Sequence, residues 1–129
     1  MSAQAATLGT IANGSVQTIA PELLLQEIRS GVPLVVLDVR DREQVYAGGA
    51  IPGARSIPLH QLGRRIEELS ERRCTLMVVV SQNGDRSRTG VVTLRLAGFT
   101  ELMTLEGGMA RWIELGYPVE RRGPESSHR

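Results

Sequence analysis

Apolar runs and amphipathic segments alternate along this chain and predict alternating strands and helices. Two runs are almost uninterrupted, PLVVLDV around Asp38 and CTLMVVV ending at Val80. Such continuous apolar runs are typical of strands buried on both faces of a parallel sheet. Shorter strands are predicted at SVQTI, ARSI and ELMTL.

Five segments carry helix signals. In the first, Pro21 suits a first turn, Gly31 is a stop signal, and leucines form an apolar face. The predicted helices are PELLLQEIRSG, DREQVYAGG with Asp41 as its cap, LHQLGRRIEELSE as one amphipathic helix, SRTGVVTLRLAGF ending at Gly98, and a last one from about Met109 to Leu115.

Strands that alternate with helices favour an α/β domain with a mainly parallel sheet and helices on both faces. The length of 129 residues allows one domain with a sizeable core. Composition divides the chain into a flexible N-terminal leader (residues 1–14), the α/β domain (15–120) and a polar tail (121–129).

Charge excludes several classes of function. The net charge is +1, from 15 basic and 14 acidic residues, so no overall field predicts nucleic-acid or membrane binding. All the basic residues are arginine, which excludes lysine-based covalent catalysis. The arginine pairs Arg64–Arg65, Arg72–Arg73 and Arg121–Arg122 are expected to be solvated surface charges.

Cysteine and histidine are scarce. With Cys74 as the single cysteine and His60 and His128 as the two histidines, neither an internal disulfide nor a Cys- or His-rich metal site is predicted, and no cofactor is indicated. The first residues lack a signal-peptide pattern and no apolar run is long enough to span a bilayer, which favours a cytoplasmic protein.

Candidate chemistry lies where the two buried strands end. After Val80 comes the loop Ser81, Gln82, Asn83, Gly84, Asp85, Arg86, Ser87, in which consecutive N–H groups and a helix start can cradle an anion, with Arg86 as a clamp or brace. A plain strand-to-helix turn fits the same loop. The other strand ends at Asp38, with Arg40 close behind, and these two are expected to form a structural ion pair near the loop. Ligand sites of such folds lie at the carboxyl ends of the strands, so the two strand ends are expected to converge.

Three ordered motifs in residues 16 to 120 resemble the rhodanese family. The stretch VVLDVRDREQVYAGGAIPGARSIPL is similar to its first signature, LEGGMARWIELGYPV to its closing signature, and the loop to Cys-x-x-Gly-x-Arg-Ser. Matching positions are Asp38, Arg40, Tyr46, Gly49, Ile51, Pro52, Gly53, Ala54, Ile57, Pro58, Gly84, Arg86, Ser87, Gly107, Gly108, Trp112, Gly116, Tyr117 and Pro118. The resemblance implies a three-layer rhodanese-like domain, in a family that carries sulfane sulfur as a cysteine persulfide.

The departures from this pattern lie at the site itself. Ser81 stands where the resemblance implies the catalytic cysteine, Ala50 where a histidine is typical, Gln82 where arginine is frequent, and Asp85 adds a negative charge. The loop length matches the sulfurtransferase type, whereas the related phosphatases and arsenate reductases have one residue more. Phosphate chemistry is therefore disfavoured.

A serine hydroxyl cannot form a persulfide, and no histidine is placed to activate it. We therefore expect an inactive domain that serves as a small-anion-binding (thiosulfate or sulfate-like) or regulatory and interaction module, with a protein partner left open. The alternative is a thiosulfate sulfurtransferase, if the serine replaces a natural cysteine or another nucleophile serves; an interaction domain with an empty site also stays open. Cys74 is expected to start a strand at the opposite edge of the sheet and to be a small packing residue.

Overall fold

The computed structural model describes residues 16–123, and strands and helices alternate through them as predicted. The leader predicted over residues 1–14 lies outside the described residues, as does all but the first part of the tail predicted from residue 121. The elements are β1 (Thr18–Ile19), α1 (Pro21–Arg29), β2 (Leu34–Asp38), α2 (Arg42–Gly48), β3 (Arg55–Ser56), α3 (Leu59–Arg65), the 3₁₀ helix η1 (Ile66–Arg72), β4 (Leu76–Val80), α4 (Ser87–Leu96), β5 (Leu102–Leu105) and α5 (Gly108–Glu114).

One parallel sheet of five strands organises the described part of the chain, in the order β1-β5-β4-β2-β3. The long buried strands β2 and β4 are neighbours, and Asp38 at the end of one lies opposite Val80 at the end of the other. The expectation that the two chemically loaded strand ends converge is therefore confirmed.

Each face of the sheet carries its own apolar core. Alternate residues of β4 point to opposite faces, so Val78 and Val80 belong to one core while Met77 and Val79 belong to the other. Helices α1 and α5 cover the first face, and α3, η1 and α4 cover the second. The predicted three-layer α/β architecture is confirmed.

The segment predicted as one helix after Pro58 is instead two, and that prediction is wrong. Helix α3 ends at Arg65, whose backbone (φ −106°, ψ 10°) leaves the helical region, and η1 follows. Gly63 weakens the α-helix at this point. The 3₁₀ turn aligns residues three apart, which suits the Arg65–Glu68 ion pair (2.8 Å) and brings Ile66 and the buried Leu69 to the core together.

Cys74 does not pack in the core, so that prediction is also wrong. Strand β4 begins at Leu76, where its pairing with β2 begins, and Cys74 lies exposed in the preceding turn, which the amide of Thr75 closes by donating to the carbonyl of Arg72 (3.1 Å). Its position beyond the amino end of β4, away from the loop that follows Val80, is as expected. In residues 16–123, no helix is long and apolar enough to cross a membrane.

Candidate functional site

A tight loop joins the buried end of β4 to the first turn of α4. Its first residue, Ser81, is 2% exposed, and the Ser81 Oγ accepts a hydrogen bond from the amide of Gly84 (2.9 Å). Gly84 has φ +95°, a conformation that a side chain would strain. The Ser87 hydroxyl donates to the Gly84 carbonyl (3.1 Å), so both serines fold the loop around this glycine.

The loop leaves several backbone donors without a protein partner. Within residues 16–123, the amides of Gln82, Asn83, Asp85 and Arg86 donate to no backbone or side-chain acceptor. The residues that carry these amides line a cavity of about 190 Å³ together with Ser81. Unpaired N–H groups at the start of a helix are suited to an anion. We call this feature, formed by the backbone of residues 81–86, the cradle.

The N-terminus of α5 fixes the back of the cradle. The amides of Met109 and Ala110 donate to the carbonyls of Ser81 and Gln82, both at 2.9 Å. At Gly108, a Cβ would stand 2.5 Å from the Ser81 carbonyl oxygen and 2.7 Å from the Gly84 amide nitrogen. Sequence reasoning matched Gly108 to a motif but gave it no part in the site. The signal was present as a glycine pair directly after a predicted strand.

Arg40 connects the sheet to the cradle from the other side. The ion pair expected between Arg40 and Asp38 forms, with 2.8 Å between Nη2 and Oδ2 and both side chains 1% exposed. The guanidinium also donates to the carbonyl of Gly49 (2.8 Å) and to Oε1 of Gln82 (3.2 Å). Arg40 therefore positions Gln82 and the end of α2, while Asp38 neutralises its charge.

The rim of the cavity carries charges of both signs. Nη1 of Arg86 lies 4.0 Å from Oδ2 of Asp41, and both side chains are about half exposed (55% and 48%). Arg86 was expected to clamp or brace the loop, but its guanidinium faces Asp41 instead. Exposed Asp85 also lines the cavity. The carboxylates offset the positive charge of the arginines. This site would therefore hold an anion through backbone N–H groups and not through net charge.

The described groups around the cavity can bind an anion, and the bases among them are exposed carboxylates. Neither of the histidine and cysteine residues within 16–123 lines it: His60 is exposed on α3, and Cys74 precedes β4. The Ser81 Oγ already accepts from Gly84, which leaves its proton to donate. No group of three or more His, Cys, Asp or Glu in the described residues is arranged to hold a metal.

The fold and the loop together match one protein family. The family model described as "Rhodanese-like domain" matches residues 20–115, which is most of the chain. This chain belongs to that family.

Known proteins extend the comparison. The chain is 38% identical over 97 residues to "Uncharacterized protein YqhL" of Bacillus subtilis, covering 74% of this chain and 75% of that protein. It is 34% identical over 102 residues to "Thiosulfate sulfurtransferase GlpE" of Pseudomonas putida, covering 79% and 88%. Among solved structures, the rhodanese-related protein of Thermoplasma volcanium superposes with a TM-score of 0.71 at 30% identity, covering 81% and 98%.

Proposed function

We propose that this rhodanese-like domain binds a small inorganic anion of the sulfate or thiosulfate type in the cradle and does not transfer sulfur. In this proposal Ser81 stands at the position where the family holds its catalytic cysteine. The domain then acts as a binding or regulatory module. The expected protein partner is one that distinguishes the occupied cradle from the empty one.

The observation that carries the proposal is the environment of Ser81. Its buried hydroxyl takes one amide of the loop, while neighbouring amides of the same loop have no acceptor within the described residues. An anion in the cavity would accept hydrogen bonds from these amides and from the Ser81 hydroxyl. Donors held in place by the Gly108 contact cost little to organise on binding.

Sulfur transfer fails on chemical grounds. A persulfide needs a thiolate sulfur, which accepts sulfane sulfur while the donor departs, and serine offers only a hydroxyl oxygen of much higher pKa. Among residues 16–123, no histidine lines the cavity to remove the hydroxyl proton. Loss of a covalent nucleophile leaves only the effect of positioning.

A second candidate is thiosulfate sulfurtransferase activity, favoured by one specific observation. The cradle keeps its helix-start donors and its contacts with α5 although the loop begins with serine. The Pseudomonas putida relative, matched over 88% of its length, is named a thiosulfate sulfurtransferase. On this hypothesis another nucleophile serves in place of Ser81, and the protein itself turns over thiosulfate.

The experiment that separates the two candidates is a thiosulfate and cyanide assay for thiocyanate. We compare the protein with Ser81→Cys, and with Ser81→Ala as a matched control of similar size. Ser81→Cys is expected to turn over, and the protein and Ser81→Ala are expected to be silent. Turnover by the protein itself would contradict the proposal, and Cys74→Ala would then show whether Cys74 supplies the sulfur.

Anion binding is measured independently by titrating sulfate and thiosulfate while the amide signals of residues 82–86 are followed by NMR. Saturable shifts in these signals are expected. Their absence, together with a silent Ser81→Cys variant, would leave an interaction domain with an empty site.

A further inference from the structure

A second, larger cavity lies on the other side of helix α2. Its volume is about 640 Å³, and it lies between α2, β3, the beginning and end of α3, and the segment after α5. Of the residues that the structure describes, none lines both this cavity and the cavity of the cradle. Five of its lining residues are arginines: Arg42, Arg55, Arg65, Arg121 and Arg122. We call it the arginine cavity.

The arginine cavity has more positive than negative charge. Glu120 pairs with Arg122 (2.6 Å), and Glu68 pairs with Arg65 (2.8 Å) and Arg55 (3.4 Å). The hydrogen bond from Arg65 keeps the pKa of Glu68 below its ordinary value, so this carboxylate is ionised at neutral pH. Counted over the described residues, five guanidinium groups and two carboxylates leave an excess of three positive charges.

Two of these three charges belong to arginines without an ion-pair partner in the described part of the chain. Neither Arg42, at the first turn of α2, nor Arg121 has an ion-pair or hydrogen-bond partner for its side chain within residues 16–123. The guanidinium is a planar fork of donors, suited to the oxygens of phosphate and carboxylate groups. The two guanidinium groups come from parts of the chain that are distant in sequence, yet they line one cavity. The sequence alone did not indicate this arrangement.

The segment that carries Arg121 is tied to the domain, so the cavity is part of the fold. Ala50 and Glu120 form an antiparallel bridge through two backbone hydrogen bonds of 2.9 and 2.7 Å. The buried Trp112 donates its ring N–H to the carbonyl of Pro118 (2.8 Å). The segment therefore leaves α5 along a fixed path that sets its arginines facing α2.

The cavity also has an apolar wall. Val45 and the half-buried Tyr46 come from successive positions of α2, and buried Pro58 comes from the start of α3. The volume lies within the range of cavities that enclose small organic ligands, about 300–1,000 Å³. An aromatic ring beside guanidinium groups suits a ligand with a flat ring and several negative charges.

We propose that the arginine cavity binds a small organic polyanion of the nucleoside diphosphate class. The unpaired forks of Arg42 and Arg121 take the charged groups, and the wall formed by Val45, Tyr46 and Pro58 takes the ring. This site is independent of the cradle and of what Ser81 does there.

The test is calorimetric titration of the full chain with ADP as the probe, with adenosine and pyrophosphate as its two halves. ADP is expected to bind better than either half, and more weakly as salt rises, because the attraction is electrostatic. The double variant Arg42→Gln/Arg121→Gln is expected to bind ADP about tenfold more weakly or worse, since two charge-assisted contacts are lost.

Two controls identify the site. Arg95→Gln removes an exposed guanidinium of α4 that has no ion pair in the described part of the chain, and it is expected to leave ADP affinity unchanged. Asp85→Asn alters the cradle and is also expected to leave ADP affinity unchanged, which separates this proposal from the preceding one.

Several results would overturn the proposal. One is no ADP binding at about 1 mM, the weak end of specific affinities. Another is equal loss of affinity in Arg95→Gln and in the double variant. Tight binding of a glutamate-rich peptide with none of ADP would assign the cavity to a protein partner instead, and pyrophosphate binding equal to that of ADP would remove the role of the apolar wall.

Discussion

The carboxylate of Asp85 lies among the groups that would hold an anion, and its charge opposes one. It is exposed and lines the cradle cavity. A unit charge near an exposed site is worth about 1 kcal/mol, which is about fivefold in affinity. We therefore expect Asp85→Asn to bind sulfate or thiosulfate about fivefold more tightly at low salt.

The measurement for Asp85→Asn is the dissociation constant from the NMR titration, repeated at rising salt. Glu22→Gln is the matched control, because it removes an exposed carboxylate from α1 and the same net charge. Equal affinities in the two variants would show that the effect is one of overall charge, or that the anion does not lie beside Asp85.

Side-chain roles at this site were only partly readable from the sequence. Residues 81–87 were identified as the candidate site because a buried run ended in a polar, glycine-containing loop. The partner of Arg86 was not predictable, because Asp41 belongs to another element and the contact depends on where α2 begins. The charges of Arg42 and Arg121, which have no partner within residues 16–123, were missed for the same reason, since only the folded chain brings them to one cavity.

The contact between α5 and the loop gives a prediction about stability. At Gly108 (φ +62°), a Cβ would meet three backbone atoms of the loop within 2.7 Å, and backbone cannot rotate away as a side chain can. Overpacking and an unfavourable φ each cost about 1–3 kcal/mol. We expect Gly108→Ala to lower the free energy of unfolding by about 2–4 kcal/mol and to remove anion binding.

Gly63→Ala is the control for Gly108→Ala. Gly63 lies in α3 without a positive φ, and a Cβ added there would have no neighbouring atom within 4 Å, so alanine is expected to stabilise by up to about 1 kcal/mol. Chemical denaturation of both variants gives the comparison. Equal stabilities would mean that the loop and α5 separate freely, and the cradle would then not be preorganised.

The elements themselves were largely predictable, and the exceptions have local causes. Continuous apolar runs predicted β2 and β4, and glycine and proline residues predicted the helix ends. Both signals act within a few residues, so they are visible in the sequence. The break at Arg65 was not predictable, since the apolar spacing of Leu62, Ile66 and Leu69 fits an α-helix equally well. The prediction for Cys74 was wrong because pairing with β2 sets where β4 begins. That pairing is not visible in the sequence around Cys74.

The sheet order explains why the site is at this place in the molecule. Strands β2 and β4 are adjacent although α2, β3, α3 and η1 separate them in the chain, so the residues after Asp38 meet the residues after Val80. Helix α2 lies between the two cavities: Gln44 lines the cavity of the cradle, and Tyr46 lines the arginine cavity. A single short helix therefore carries groups of both candidate sites.

Arg40 holds that arrangement together, and its removal is expected to be costly for the molecule as a whole. Its guanidinium bonds to Asp38 of the sheet, to the Gly49 carbonyl at the end of α2, and to Gln82 of the cradle. Arg40→Leu would leave the Asp38 carboxylate buried without its partner. Such losses cost about 3–5 kcal/mol, so we expect a decrease of that size in the free energy of unfolding.

The double variant Asp38→Leu/Arg40→Leu tests whether that cost comes from the uncompensated charge. It removes both charges, and apolar replacement of a buried pair is often tolerated. We expect it to be more stable than Arg40→Leu, while anion binding stays weakened because Gln82 has lost its donor. If the two substitutions instead destabilise additively, the ion pair contributes little, and the carbonyl of Gly49 is the contact by which Arg40 stabilises the fold.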